Sequence, residues 1–577
     1  MRLLFLPLAI LIAMSQAQAQ SGPPDLILLN GNIYTGAIQK ASPPYVDVLP
    51  RVQALAIRGD RIIASGTNVE IKKLKQKHTQ VIDLAGRFVM PGFNDAHQHF
   101  AAGALEELRV NLLGVTSLQD MQARVAEHAK QLAPNEWIVG RGWDQTLWSD
   151  KHLPTRQDLD QVTGNHPAVL TRVDGHIAVA NTAALKAAGI SRETPDPEGG
   201  KIDHDANGEP TGVVRETARD QLLLKVPPPS LALRRRAIEL GMKEAAEWGI
   251  TSVQDSISND QDPTEWDYFL TYEQLELENK LTVRVSEWLP FRASIELLQS
   301  HRAHHAHSDL MLHTAMLKAY LDGSLGSRTA ALNAPYSDDP GNKGVLHWNA
   351  DELRNLAQER VAAGFQLGFH AIGDAALDLA LNTFSDAQQW NQRRQVTGQA
   401  TSEIRDFRFR VEHVQVASPV QISRMAAMSV IASVQPCHLL TDMNWAEARL
   451  GPERAKNSYP WANLLHAGVK LAFGTDYQVE PMDPFRGLYA AVTRKNEAGS
   501  SEYYPEQKLT IDQAIAAYTS GSAYAEFTER DKGTLAPGML ADFVVLDRDI
   551  THIPPPEVLH AHVLRTVLGG KTVFESH

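Results

Sequence analysis

The chain has one cysteine, Cys437, in 577 residues. No intrachain disulfide can form, even in an oxidising compartment, and no second thiol is available for a zinc-cluster pattern. It also lacks a basic stripe: the formal net charge is −13, and Lys and Arg form no cluster of the kind a nucleic-acid surface requires. Nucleic acid is therefore set aside as a partner. Beyond the first 19 residues no stretch is apolar enough to cross a membrane, and neither a fixed-period repeat nor a low-complexity tract is evident.

The remaining composition is that of a folded globular protein, 43% apolar and 21% charged. At this length the chain exceeds one ordinary domain and accommodates one large barrel with additions. The first 19 residues read as a secretory signal. Arg2 supplies the basic start, Leu3 to Met14 the apolar core, and Ala17-Gln18-Ala19 a small-x-small cleavage site before Gln20. The apolar core is shorter than the ~20 residues a span needs, so the sequence predicts export, with the periplasm as destination, and no stable membrane insertion after cleavage.

Short β-like runs at Asp25 to Tyr34, Val52 to Arg58 and Arg61 to Ser65 are broken by turn signals such as Gly31-Asn32 and Gly59-Asp60. The far end repeats this style at Gly533-Thr534-Leu535, Ala541 to Leu546 and Val563 to Phe574. Residues 23–87 and 530–577 are expected to pair into one small β-sandwich domain. Between them, residues 88–529, lie eight apolar runs that each end in polar or acidic residues: Phe88–His99, Ile250–Asp255, Thr282–Leu289, Met316–Asp322, Phe365–His370, Phe407–His413, Val430–Pro436 and Val469–Asp476. Mostly separated by helical patterns, they predict an α/β fold, a (β/α)8 TIM barrel. Two further strand-like runs, Trp137–Gly142 and Ala168–Asp174, fall in a long stretch after the first strand; residues of about 104–226 are read as a large insertion expected to cover the barrel mouth.

In such a barrel the active site lies at the carboxyl ends of the strands. His97 and His99 sit at i and i+2, on one side of an extended strand. Alone such a pair means little in a chain with 22 histidines. The same register, however, brings Lys318, His370, His413 and Asp476 to the same rim. Imidazole and carboxylate are the ligand types zinc and similar ions favour, and a catalytic site keeps one position open for water. Asp476 alone would serve equally as a helix cap, and either of His370 and His413 as a hydrogen-bonded core histidine.

Pro91-Gly92-Phe93-Asn94-Asp95-Ala96-His97-Gln98-His99, followed by His370, His413 and Gly474-Thr475-Asp476, resembles the amidohydrolase superfamily of metal-dependent hydrolases. Leu321 to Ala330, His370-Ala371-Ile372-Gly373-Asp374-Ala375, Val411-Glu412-His413 and Val434-Gln435-Pro436 are similar to its amidohydrolase-3, YtcJ-like branch, as are Arg172-Val173-Asp174-Gly175-His176, Asn181, Glu216 and the tail Gly533 to Asp542. The resemblance implies that His97 and His99 bind one divalent metal, with zinc the expected ion, and that His370 and His413 bind a second where two are held. Asp476 would touch metal and act as the catalytic general base. His413 would help steady the developing oxyanion. Lys318 falls where many superfamily members carry an N6-carboxylated lysine bridging two metals; a simple pairing with Asp322 or a substrate carboxylate is the alternative.

The implied reaction is cleavage of a non-peptide C–N bond in a small-molecule amide by metal-activated water. A linear amide, such as an N-substituted formamide or N-acyl compound, is expected first, with a lactam, lactone or ester as the alternative. A non-catalytic ligand-binding or regulatory protein on the same scaffold remains as a reading from another class. Asp174, His176 and Arg328 are candidates for substrate binding, the last as a carboxylate clamp. Trp143, Trp148, Tyr320, Trp445 and His438 are candidates for an apolar wall, with ordinary core the equal alternative for the aromatics, and a homodimer is a state the resemblance allows.

Overall fold

The computed structural model describes residues 22–134, 136–256, 266–397 and 406–576. The signal-like segment, residues 1–19, lies outside them. The chain divides into two compact units, one from Met1–Ala102 with Glu239–His577 and the other Gly103–Ile238.

The first unit contains an eight-stranded parallel barrel, whose strands are β1 (Phe93–Gln98), β2 (Ile250–Ser256), β3 (Arg284–Pro290), β4 (Leu312–Tyr320), β5 (Gln366–Ala371), β6 (Arg410–His413), β7 (Ile431–Val434) and β8 (Leu471–Phe473). Each pairs in parallel with the next. Parallel strands covered on both faces read as near-continuous apolar runs, and β2 and β3 are buried at all seven positions. The seam between β8 and β1 is drawn together just past β8, where Asp476 N–H donates to His97 C=O at 2.8 Å and His99 N–H to Tyr477 C=O at 2.6 Å. Helix α1 (Ile295–His304) joins β3 to β4 and starts where the Ser294 side chain accepts from Leu297 N–H.

The expected first run, Phe88–His99, is in fact two strands. Phe88–Pro91 belongs to a five-stranded sheet with Asn32–Ile33, Phe543–Leu546, Val563–Leu568 and Lys571–Glu575, and only the part after Gly92 enters the barrel. Gly92 marks the crossing because a Cβ there would lie 2.4 Å from the Thr251 side chain. A four-stranded sheet, Arg61–Gly66, Ala54–Arg58, Leu26–Leu29 and Gln80–Asp83, shares with the five-stranded one a core of Leu28, Ile33, Leu55, Ile57, Val89, Phe543 and Val545. Both ends of the chain thus build a sandwich beside the barrel.

The amino ends of the strands are plugged by a buried carboxylate. Glu526 accepts from Asn94 Nδ2 of β1 at 2.6 Å and from Ser286 Oγ of β3, and pairs with Lys532 at 2.8 Å and with His313 of β4 at 3.6 Å. Burial pushes His313 down to about 4, Lys532 adding to the effect against the pull of Glu526. Burial would raise Glu526, but Lys532 and His313 hold it down at about 2. A histidine that protonates at 6.5 when unfolded and only near 4 when folded contributes stability that is complete above pH 6.5 and lost as pH falls toward 4. The loss amounts to about 3 kcal/mol, and Glu526 extends it below pH 4.5. Urea unfolding followed between pH 7 and 4 is expected to show this decline in the wild type and a visibly flatter one in His313→Gln.

The second unit is built on a six-stranded sheet in the order Val110–Asn111, Ile138–Trp143, Ala168–Arg172, Ile177–Ala180, Pro210–Glu216, Gly200–His204. One face packs under Leu112, Trp143, Trp148 and Leu170, the other under Val169, Ala180, Leu185 and Val214. Trp143 and Trp148 are therefore core of this unit, 0% and 3% exposed, and not a wall for substrate.

Candidate metal centre at the carboxyl ends of the barrel strands

Asp95 and Gly474 fix how β1 meets the end of β8. The buried Asp95 carboxylate accepts from Thr475 N–H at 3.0 Å, Thr475 Oγ1 at 2.6 Å, Gln98 Nε2 at 2.6 Å and His97 N–H at 3.2 Å. A Cβ on Gly474 would fall 2.5 Å from the His97 backbone nitrogen, so only glycine lets the two segments approach this closely. Asp476 and His413 both hold positive φ, 57° and 77°, an uncommon backbone state of the kind that gathers at functional sites.

Asp476 is the hub. Its Oδ1 lies 3.6 Å from His97 Nε2 and 3.4 Å from His99 Nε2, and its Oδ2 lies 3.9 Å from His413 Nδ1 and 3.3 Å from His438 Nε2. His370 stacks edge-on to His413 with ring centroids 4.5 Å apart, and Lys318 Nζ stands 3.4 Å from His97 Nε2. All six residues expected from the sequence are thus gathered, and His438, read there only as wall, joins them. Tyr320 stands over the group, its ring 5.4 Å from that of His370, and Trp288 lies against His97 at 5.0 Å.

Hydrogen bonds decide which ring nitrogen faces inward. His97 Nδ1 donates to Glu412 Oε2 at 2.7 Å, and His99 Nδ1 donates to Ser256 C=O at 2.9 Å, so both present Nε2 to Asp476. Glu412 is held by the buried Arg410 at 3.0 Å, and Arg410 also donates to Ala96 C=O and Ser433 Oγ. His370 Nδ1 lies 3.1 Å from Asp322 Oδ1 out of hydrogen-bonding line, while Asp322 accepts the N–H groups of Ala331, Ile372 and Gly373. Glu412, Asp322 and Asp95 are absent from the expected ligand set. Their roles depend on what each side chain faces; the sequence hinted only at Asp322, as a partner for Lys318, and at Glu412, placed one residue before the strand's end.

Burial drives His97 well below the usual imidazole range, with Lys318 reinforcing it, and does the same to His413 beside His370. These rings are neutral, the form that coordinates metal. Burial opposes charge on Asp476, but the imidazoles of His97, His438, His99 and His413 keep it well below the usual carboxylate range. Burial lowers Lys318 to about 8, against Glu412 and Asp476.

The residues fit a divalent ion. His370 Nδ1, His413 Nδ1 and Asp476 Oδ1 are buried without a hydrogen-bond partner among the described residues, a costly arrangement that a metal would relieve. Ligand atoms of His97, His99 and Asp476 lie within 4.8 Å of one another, as do those of His413, His438 and Asp476. Residues 80–574 match the model of the Amidohydrolase family. The chain belongs to that family. It is 32% identical to Protein LONG AFTER FAR-RED 3 of Arabidopsis thaliana over 95% of this chain and 91% of that one. To Putative amidohydrolase YtcJ of Bacillus subtilis it is 32% identical over 91% and 96%, and to N-substituted formamide deformylase of Arthrobacter pascens 27% identical over 96% and 98%. The crystal structure of an uncharacterized metal-dependent hydrolase from Pyrococcus horikoshii superposes with a TM-score of 0.73 at 29% identity, covering 92% of this chain and 99% of that one.

The residues considered for substrate binding in this amidohydrolase are engaged elsewhere in their own surroundings. In the second unit Asp174 pairs with Arg172, and the exposed His176 pairs with Glu216 at 3.0 Å, which gives Glu216 a partner. In the first unit Arg328 is bidentate to Asp338, at 3.1 and 3.0 Å. Trp445 packs by Gly326. Loss of the Glu412 carboxylate through Glu412→Gln is expected to weaken metal binding roughly 10–100-fold, since the group fixing the His97 tautomer becomes a neutral amide. Competition with a chromogenic chelator checks it.

Proposed function

We propose that this hydrolase is a metal-dependent enzyme cleaving a non-peptide C–N bond of a small molecule, with linear amides, N-substituted formamides or N-acyl compounds, as its substrate class. The convergence of four imidazoles on the Asp476 carboxylate, whose Oδ1 has no hydrogen-bond partner among the described residues, carries the reading. The formamide preference draws on the 27% identity to the Arthrobacter deformylase across nearly the whole of both chains.

His97, His99, His370, His413 and Asp476 would hold the ion, zinc in the first instance. Once bound, it supplies Lewis acidity and brings the pKa of a water from 15.7 down to about 7. Asp476, held ionised among four rings, would serve as the base that takes a proton from the attacking water and returns it to the leaving nitrogen. His438, whose Nδ1 accepts from Gln415 Nε2 at 3.2 Å, keeps its Nε2–H toward Asp476 Oδ2 and so orients the base. Lys318, fully buried and lowered to about 8, offers a fraction of neutral amine that carbon dioxide can carboxylate, with loss of one proton, to give a further anionic ligand. A carbamate carbon signal from protein equilibrated with 13C-bicarbonate, missing in Lys318→Met, tests that step.

The substrate class is tested on protein stripped and reloaded with zinc, by following amine release from formamides, other N-acyl amines, lactams and lactones. Fastest turnover on a linear amide supports the reading. Opening of rings with no cleavage of linear amides overturns it in favour of the cyclic class. We also propose export through the leader at residues 1–19. An isolated protein beginning at Gln20 supports it, and one retaining Met1 overturns it.

A further inference from the structure

Four of the chain's histidines fall within seven residues, at 301, 304, 305 and 307, in a segment to which the barrel-mouth chemistry assigns nothing. His301 lies in the last turn of α1 and His305, four residues on, is the residue that caps its carboxyl end. They converge on Glu287 of β3. The next residue, Trp288, points into the barrel against His97, so Glu287 points the opposite way, toward the helical layer.

Glu287 is fully buried. One of its oxygens, Oε2, meets both rings, His301 Nε2 at 2.8 Å and His305 Nδ1 at 2.7 Å. The other, Oε1, has no partner among the described residues, and neither has Oγ1 of Thr314, its register neighbour on β4. Trp266 and Phe269 close against the His301 ring at 5.3 and 5.2 Å, keeping the position apolar on that side. Outside it a second carboxylate, Glu273, reaches His304 at 2.6 Å, and ligand atoms of Glu273, His304 and His305 also lie within 4.8 Å of one another.

We propose that Glu287, His301 and His305 form a second, structural site for a divalent cation of the zinc class, separate from the catalytic cluster. Two imidazoles four residues apart at the end of a helix plus a carboxylate from the adjoining strand are a nitrogen and oxygen set suited to zinc and poorly suited to magnesium or calcium. Two ring nitrogens crowded on one oxygen while its twin is buried unpaired is a poor hydrogen-bonding solution for a carboxylate. A cation on these three side chains engages the same charge without leaving an acceptor idle. Bond lengths of about 2.0–2.2 Å place tetrahedral ligand atoms about 3.3 Å apart, so the rings need to withdraw by roughly half an ångström. The ion would tie α1 to the outer face of β3, the strand whose inner face carries Trp288 against His97. His304 and Glu273 stand next to it as an outer pair.

The full chain, stripped with chelator, loaded with stoichiometric zinc and dialysed, is crystallised and an anomalous difference map is taken at the zinc edge. A peak enclosed by Glu287, His301 and His305 is the expected result; peaks confined to the barrel mouth, or none anywhere, overturn the site. In solution, the His301→Gln/His305→Gln variant is expected to hold one zinc equivalent fewer than the wild type while keeping its amidase turnover. An unchanged zinc content overturns the proposal. A peak here with none at the mouth leaves this site standing and refutes the catalytic reading, so the two fail separately. If the double variant does not fold, the map decides alone.

Discussion

Asp476→Asn is expected to retain its metal and lose turnover by about 10²–10⁴-fold, the range that general acid and base work contributes. The asparagine keeps the size and one oxygen of the hub, so the ring nitrogens of His97, His99 and His438, all within 3.6 Å of it now, still find a polar neighbour. What disappears is a base that four imidazoles hold ionised in spite of burial. Turnover numbers measured beside metal content at saturating zinc separate the two effects. Unchanged turnover would remove Asp476 from the chemistry, and parallel loss of metal and turnover would make it chiefly a ligand.

His97→Ala should be more damaging still, because that ring does two things. Its Nε2 is at the centre of the cluster, and its Nδ1 is a partner of Glu412, which is 0% exposed. Removing it is expected to abolish or halve the bound metal and to take turnover below detection. It also leaves a carboxylate oxygen inside the barrel with Arg410 as its remaining charge partner, at 3.5 Å from that oxygen. Stripping one partner from a buried, hydrogen-bonded ionised group costs on the order of 3–5 kcal/mol. Elemental analysis and thermal unfolding of the variant against wild type measure the two losses independently. A variant with full metal would place the ion away from β1.

Much of this was legible in the chain because barrels of parallel strands write their pattern locally. Apolar runs ending in polar residues mark β2 through β8, and the rule that catalytic groups sit at strand ends is enough to bring His97, His99, Lys318, His370, His413 and Asp476 together. The strand break at Gly92 has a local signal in Pro91-Gly92, but the close approach of Thr251, 2.4 Å from where a Cβ would stand, depends on a strand about 160 residues away and is not written in the run itself. Trp143 and Trp148 could not be decided from sequence for a related reason: an aromatic in an insertion looks the same whether it lines a pocket or fills the insertion's own core, as these do. The supporting carboxylates were hidden by distance. Glu412 meets His97 across 315 positions of sequence, and Asp95 meets Thr475 across 380, pairings that periodicity does not encode.

The chain's path through Gly92 has one more consequence. β1, which bears His97 and leads into His99, continues directly from Phe88–Pro91, whose sheet partners are Asn32–Ile33 and, near the carboxyl terminus, Phe543–Leu546. Asp476 and the Glu526 plug come late as well. A ribosome making this protein releases the first two ligands nearly four hundred residues before the carboxylate they share, and before the strand that anchors their own. The centre therefore draws its side chains from both halves of the chain, and it cannot be complete before Asp476 has been made.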